Sequence, residues 1–181
     1  EQINDSNVSR LGLAWAHKFD DERGVETTPI VVDGVMYSTG PWSKVVALNA
    51  KTGEVLWKFD PKVERIVAAK GCCDVANRGV AVWEGKVFVA SYDGRLIALD
   101  AKTGKQLWST LTVDTKRSYT ISGAPRVVNG MVLIGNGGGE LGVRGYVSAY
   151  DGKTGQMKCR FYTVPGDPKK LYGNDPMKIA A

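Results

Sequence analysis

Histidine and cysteine are scarce in this chain. Its 181 residues include one histidine, His17, and three cysteines, Cys72, Cys73 and Cys159. There is no Cys-x-x-Cys pair, which argues against a zinc site of the usual Cys/His type. No apolar run approaches the ~20 residues that cross a bilayer. The opening EQINDSNVSR has no apolar segment of the signal-peptide kind, so membrane association is not indicated. The formal net charge is +5, and the lysines are scattered through turns such as AKTGK and DPKK. The clustered basic footprint that nucleic-acid binding requires is therefore missing. No segment has a helical period of apolar residues. With 43% hydrophobic and 24% charged residues, the composition is still that of a globular protein.

What is present is a repeat. The segments VVALNAKTGEVLW, LIALDAKTGKQLW and VSAYDGKTGQMKC end at Trp57, Trp108 and Cys159, a constant spacing of 51 residues. A period of this size marks stacked supersecondary units. Within each unit, TPIVVDGVMYSTG, GVAVWEGKVFVAS and APRVVNGMVLIGN read as strand, two-residue turn, strand. The turns Asp33-Gly34, Glu84-Gly85 and Asn129-Gly130 match the Asp-Gly and Asn-Gly hairpin signal. A third strand, an NAKTG-type turn and a fourth strand complete the unit. The expected fold is all-β, a partial β-propeller of about three four-stranded blades. Residues 1–170 form the partial propeller domain and 171–181 a tail leading into further chain, because propellers close with about 4–8 blades. LGLAW, ending at Trp15, is expected to be the last strand of a preceding blade. The repeated tryptophans are expected to fill the space between blades, with Cys159 a small, buried and inert replacement.

Counting back from the hairpin glycines locates candidate site positions. Eight residues before Gly34, Gly85 and Gly130 lie Glu26, Asn77 and Ser122; seven before lie Thr27, Arg78 and Gly123. These positions are expected at the start of each blade's first strand, which lines a propeller's channel, so their polar groups would converge into a ligand cradle. The third unit has six extra residues between its hairpin glycine and the repeat end, in NGGGELGVRGY, residues 136–146. Glycines there would let backbone approach a ligand closely, and Glu140 would offer oxygen to a hard cation such as Ca²⁺. A flexible loop with a solvated glutamate fits the same residues equally well. Cys72 and Cys73 are equally open. Their Cα atoms would lie about 3.8 Å apart, short for a disulfide, so two free thiols or one very small ring are both compatible with the sequence.

CCDVANRGVA, TISGAPRVV, GGGELGVRGYVSAYD and FYTVPGDP together closely resemble the quinoprotein alcohol dehydrogenases, nearest to their quinohaemoprotein branch. The resemblance runs over nearly the whole chain. It implies an eight-bladed propeller that binds pyrroloquinoline quinone (PQQ) and Ca²⁺ and oxidises alcohols to aldehydes or ketones. Electrons would pass to a haem, a cytochrome or another acceptor. It also implies that Cys72 and Cys73 form a disulfide whose ring packs on one face of the quinone, in an exported, oxidising compartment, the periplasm. By the same resemblance, Glu26, Arg78 and Ser122 hydrogen-bond the cofactor, Ser122 standing where the family usually has threonine. Gly137, Gly138 and Gly139 wrap its carboxylates, and Glu140 is a Ca²⁺ ligand. The family's general-base aspartate and its haem-attachment motif match nothing in this chain, so no catalytic residue is assigned and any haem c lies elsewhere in the parent protein. The alternative is a non-catalytic envelope propeller, a binding or scaffold module, which shares the AKTG…W repeat but has no reason to keep Cys72, Cys73, Arg78 and Glu140 together.

Overall fold

The computed structural model describes residues 2–164; the expected tail at 171–181 lies outside them. Three four-stranded antiparallel sheets follow one another along the chain. The first consists of β1 (Ile30–Val32), β2 (Val35–Thr39), β3 (Val45–Asn49) and β4 (Val55–Phe59). The second consists of β5 (Ala81–Trp83), β6 (Lys86–Ala90), β7 (Arg95–Asp100) and β8 (Gln106–Leu111). The third consists of β9 (Arg126–Val128), β10 (Met131–Gly135), β11 (Tyr146–Asp151) and β12 (Met157–Tyr162). Each sheet pairs in sequence order, as in propeller blades. Helical structure among the described residues is limited to short 3₁₀ turns.

The turn chemistry explains the hairpins. Asp33-Gly34, Glu84-Gly85 and Asn129-Gly130 all have positive φ, from 44° at Glu84 to 78° at Gly34. This is the type I′ geometry that matches strand twist. At the second hairpin of each sheet, the Asn49, Asp100 or Asp151 side chain accepts two backbone N–H groups, from Lys51 and Thr52, Lys102 and Thr103, or Lys153 and Thr154. The two hairpins of a sheet are joined at the same end, where Ala50, Ala101 and Gly152 N–H donate to the carbonyls of Gly34, Gly85 and Gly130 at 2.9 Å.

The core lies between sheets. Alternate residues of β7 serve opposite faces: Ile97 and Leu99 pack with Tyr37, Val45 and Trp57 of the first sheet, while Leu96 and Ala98 pack with Val132, Ile134 and Tyr150 of the third. The repeated tryptophans cover the following sheet's turn. Trp57 Nε1 donates to Ala101 O at 2.9 Å and Trp108 Nε1 to Gly152 O at 3.4 Å. Trp15 does the same to Ala50 O at 3.2 Å, although the strand expected at LGLAW does not form, because no strand beside it is available among the described residues. Cys159 also departs from expectation. It is exposed rather than buried, since among the described residues no sheet follows β12 to cover that face. Phe161, on the same face, is about half exposed as well, at 47%.

Candidate functional site

Antiparallel order divides each sheet into two ends. The tight hairpins sit at one. The β2–β3, β6–β7 and β10–β11 loops and the connectors between sheets sit at the other. Every site residue marked by the sequence lies in this second group: Glu26 ahead of β1, Cys72, Cys73 and Arg78 ahead of β5, Ser122 ahead of β9, and Gly137, Gly138, Gly139 and Glu140 between β10 and β11.

Arg78 joins the segments that lead into all three sheets. Its Nη2 pairs with Glu26 Oε2 at 2.8 Å, and its Nη1 donates to Ser122 Oγ at 2.6 Å. About half of the Arg78 and Glu26 side chains remains exposed, 51% and 49%, so the guanidinium is oriented on one edge and open on the other. The backbone makes the same connection. Thr28 N–H donates to Arg78 O at 3.2 Å, and Arg78 N–H donates to Ser122 O at 2.8 Å. These three residues stand six, seven and eight positions before their hairpin glycines, so each blade is offset by one residue from the last.

That offset corrects two expectations. Glu26, Arg78 and Ser122 lie three to four residues ahead of the first strands, in the lead-in segments rather than in the strands. Asn77, which equal counting places beside Glu26, is 1% exposed. Its Nδ2 donates to Ala90 O at 2.8 Å and its Oδ1 accepts Gly79 N–H at 3.1 Å. It therefore stitches the second blade together and does not face a cradle. Thr27 is likewise engaged internally, with Oγ1 accepting from Thr39 N–H at 3.1 Å.

Cys72 and Cys73 are joined in a disulfide and both are exposed. The preceding Gly71 abuts Tyr92 and Thr120, and a Cβ there would collide with the Tyr92 hydroxyl. Thr120 pairs with Gly137, whose N–H donates to Thr120 O at 2.7 Å. Burial pushes the Tyr92 hydroxyl pKa up, and the Asp74 and Glu140 carboxylates push it further. Contacts thus run from the doublet through Tyr92 and Thr120 to the glycine loop, and from Thr120 two residues along to Ser122 and Arg78.

The loop carrying Glu140 is shaped by glycine. Gly138 has φ 100°, and a Cβ there would collide with Ser118 O. Gly139 has open space where a side chain would be. Arg117 donates to Gly142 O at 2.8 Å and Asn136 Oδ1 accepts Tyr146 N–H at 2.9 Å, so the loop is held at both ends. Tyr146 is pushed up to about 12 by burial, and its hydroxyl donates to Thr112 O at 2.8 Å. Glu140 itself is exposed. Among the described residues no three His, Cys, Asp or Glu side chains cluster as a metal site. Tyr92 and Thr120 were not marked by the sequence; their positions in the second sheet's loop and connector carry no repeat signature.

The family profile described as glucose/ethanol/alcohol dehydrogenase, beta-propeller domain, matches residues 1–179. The chain is 63% identical to the quinohemoprotein alcohol dehydrogenase ADH-IIG of Pseudomonas putida, over 100% of this chain and 25% of that protein. The solved structure of that enzyme superposes with a TM-score of 0.95 over 99% of this chain and 26% of the other. The quinohemoprotein alcohol dehydrogenase of Comamonas testosteroni is 54% identical over 100% of this chain and 26% of that protein. A europium-containing methanol dehydrogenase superposes with a TM-score of 0.86 at 44% identity, covering 96% of this chain and 31% of that one. The chain thus spans about a quarter of the length of the curated relatives it matches.

Proposed function

The chain belongs to the glucose/ethanol/alcohol dehydrogenase β-propeller family, and from that premise we propose that it forms one wall of a PQQ- and calcium-dependent alcohol dehydrogenase. The whole enzyme oxidises alcohols to aldehydes or ketones in the periplasm and passes electrons to a haem or cytochrome acceptor. The observation that supports this reading best is the convergence of Glu26, Arg78 and Ser122, from three blades, on the end that also carries the disulfide and Glu140. A scaffold propeller has no use for that set.

The donor chemistry fits a flat, anionic quinone. A guanidinium offers forked N–H donors to carboxylate or quinone oxygens, and Arg78 is already oriented by Glu26 and Ser122. The disulfide offers a compact apolar surface for a planar ring. The Gly137, Gly138 and Gly139 backbone leaves room for carboxylates to approach. Bound PQQ supplies the two-electron redox chemistry, while the protein supplies orientation and electrostatics. Ca²⁺ takes about 6–8 oxygen ligands, so Glu140 would contribute one corner of a site whose other donors come from outside these residues. No residue of this chain is assigned as general base.

The test is titration of the full-length protein with PQQ in the presence of Ca²⁺, and in parallel with Eu³⁺, followed by absorbance and by alcohol-dependent dye reduction. Saturable binding with turnover is expected. A protein that folds but takes up no PQQ with either metal would return the scaffold reading.

A further inference from the structure

Two ion pairs of opposite polarity tie the segment before β1 to the segment before β5. Glu26–Arg78 belongs to the site described above. Arg23–Asp74 runs beside it, three residues earlier on one segment and four earlier on the other. Asp74 directly follows the disulfide, and the Val75 N–H, then Arg23, hold its carboxyl below the usual range.

Behind this pair lies Trp42, 4% exposed. Its φ is 63° and that of Ser43 is 58°, a left-handed stretch that bulky residues rarely adopt. Both residues are fixed from the doublet's side: Trp42 N–H donates to Val75 O at 3.0 Å, and Ser43 Oγ accepts Tyr92 N–H at 3.0 Å. Two guanidinium groups address the indole, Arg65 with Cζ 3.9 Å from the ring centroid and Arg23 at 5.4 Å. Arg65 opens the 3₁₀ turn Arg65–Lys70 that leads into Gly71. Residues 65 and 74 therefore bracket the doublet, and both are fastened to the same tryptophan–arginine stack. Trp42, Val63, Val75 and Tyr92 form a small apolar cluster separate from the two cores between sheets.

We infer that Arg23, Trp42, Arg65 and Asp74 form a positioning clamp that sets where the Cys72–Cys73 disulfide stands against the cofactor, an inference that rests on the cofactor reading above. None of the four is assigned a contact with the guest; they act through the loop. A vicinal disulfide can serve as a platform only if its loop is held to within ~0.5 Å of the productive position, and residues 71–74 have no strand to hold them. The clamp supplies what the missing strand pairing does not. A cation over an aromatic ring and an exposed ion pair are each worth about two- to fivefold in an equilibrium, so opening either jaw should be measurable without unfolding the protein.

The test uses the full-length protein and two readouts. One is the rate at which a phosphine reduces the Cys72–Cys73 bond in cofactor-free protein, read by mass spectrometry of that peptide. The other is PQQ affinity. Arg65→Ala and Asp74→Asn, both on the surface, are expected to speed reduction and weaken PQQ binding, each by about fivefold, with the melting transition kept. Arg65→Lys, which keeps a cation over the Trp42 ring, is expected to retain both properties. Unchanged reduction rates in Arg65→Ala and Asp74→Asn overturn the clamp, as does an Arg65→Lys variant no better than Arg65→Ala. If the unaltered protein binds no PQQ, the cofactor reading fails, while the reduction rates still decide the clamp.

Discussion

The two ends of each blade are built by different rules. At the hairpin end, all three sheets repeat one solution: a type I′ turn, a side-chain-capped second turn, and a tryptophan from the preceding unit lying on that turn's glycine. At the connector end no two sheets agree. The β2–β3 loop bends through a left-handed tryptophan, the β4–β5 connector carries a disulfide, and the β10–β11 loop is lengthened around Glu140. Regularity at one end holds the sheets in place, and irregularity at the other is where three unlike segments meet. On the proposed reading, stability and ligand chemistry are separated along the strand direction, and substitutions should sort by end.

The sharpest test removes a hairpin-end anchor. Trp57 is 8% exposed and seated on Gly104. Trp57→Ala should cost about 3–5 kcal/mol of stability, seen in denaturant unfolding, while the PQQ affinity of the remaining folded protein is unchanged. Loss of affinity without loss of stability would break the division. The converse is Arg78→Ala. Removing the guanidinium that joins Glu26 and Ser122 should weaken PQQ binding by roughly 10- to 100-fold, the scale of a charged hydrogen bond, with thermal unfolding little altered. Ser122→Ala should be milder, about fivefold in affinity, because it removes one neutral partner of Arg78.

The smallest effect sharpens the comparison within the hairpin end itself. Asp100 is held below its ordinary 3.8 first by the Thr103 hydroxyl and then by backbone N–H groups. Asp151 is lowered first by the Thr154 N–H. A carboxylate whose pKa is depressed on folding stabilises above the unfolded value, and that contribution fades as pH falls through the folded one. Both turns should therefore loosen below pH 3.8. The first blade uses Asn49 in the same role, and an amide does not titrate. Amide exchange in acid should show Thr103 and Thr154 N–H losing protection while Thr52 N–H keeps it; equal loss at all three would mean the caps are not what holds these turns.

Much of this was legible beforehand because the signals are local. Asp33-Gly34 and Asn129-Gly130 announce a hairpin by their own backbone preferences, and the 51-residue period reports identical turns. What failed depended on neighbours. Cys159 was expected in a core, yet burial requires a following sheet, which a residue's own strand cannot declare. LGLAW finds no strand edge beside it among the described residues. Asn77 turns inward, and Arg78 alone stands level with Glu26 and Ser122, because counting from the hairpin assumes flush blades. Trp42 was missed altogether: its importance comes from Arg23, Arg65 and Val75, three residues dispersed in sequence with no shared spacing.

The amides of Thr28 and Arg78, each reaching one residue further back on the next blade, make the inner rim a staircase of main chain. These main-chain contacts, unlike the Arg78 side-chain bonds beside them, do not read residue type. Residue type on a step can change without altering them, and a copied blade would bring a different position of its motif to the same step. A protein assembled by repetition can in this way carry an interior that does not repeat.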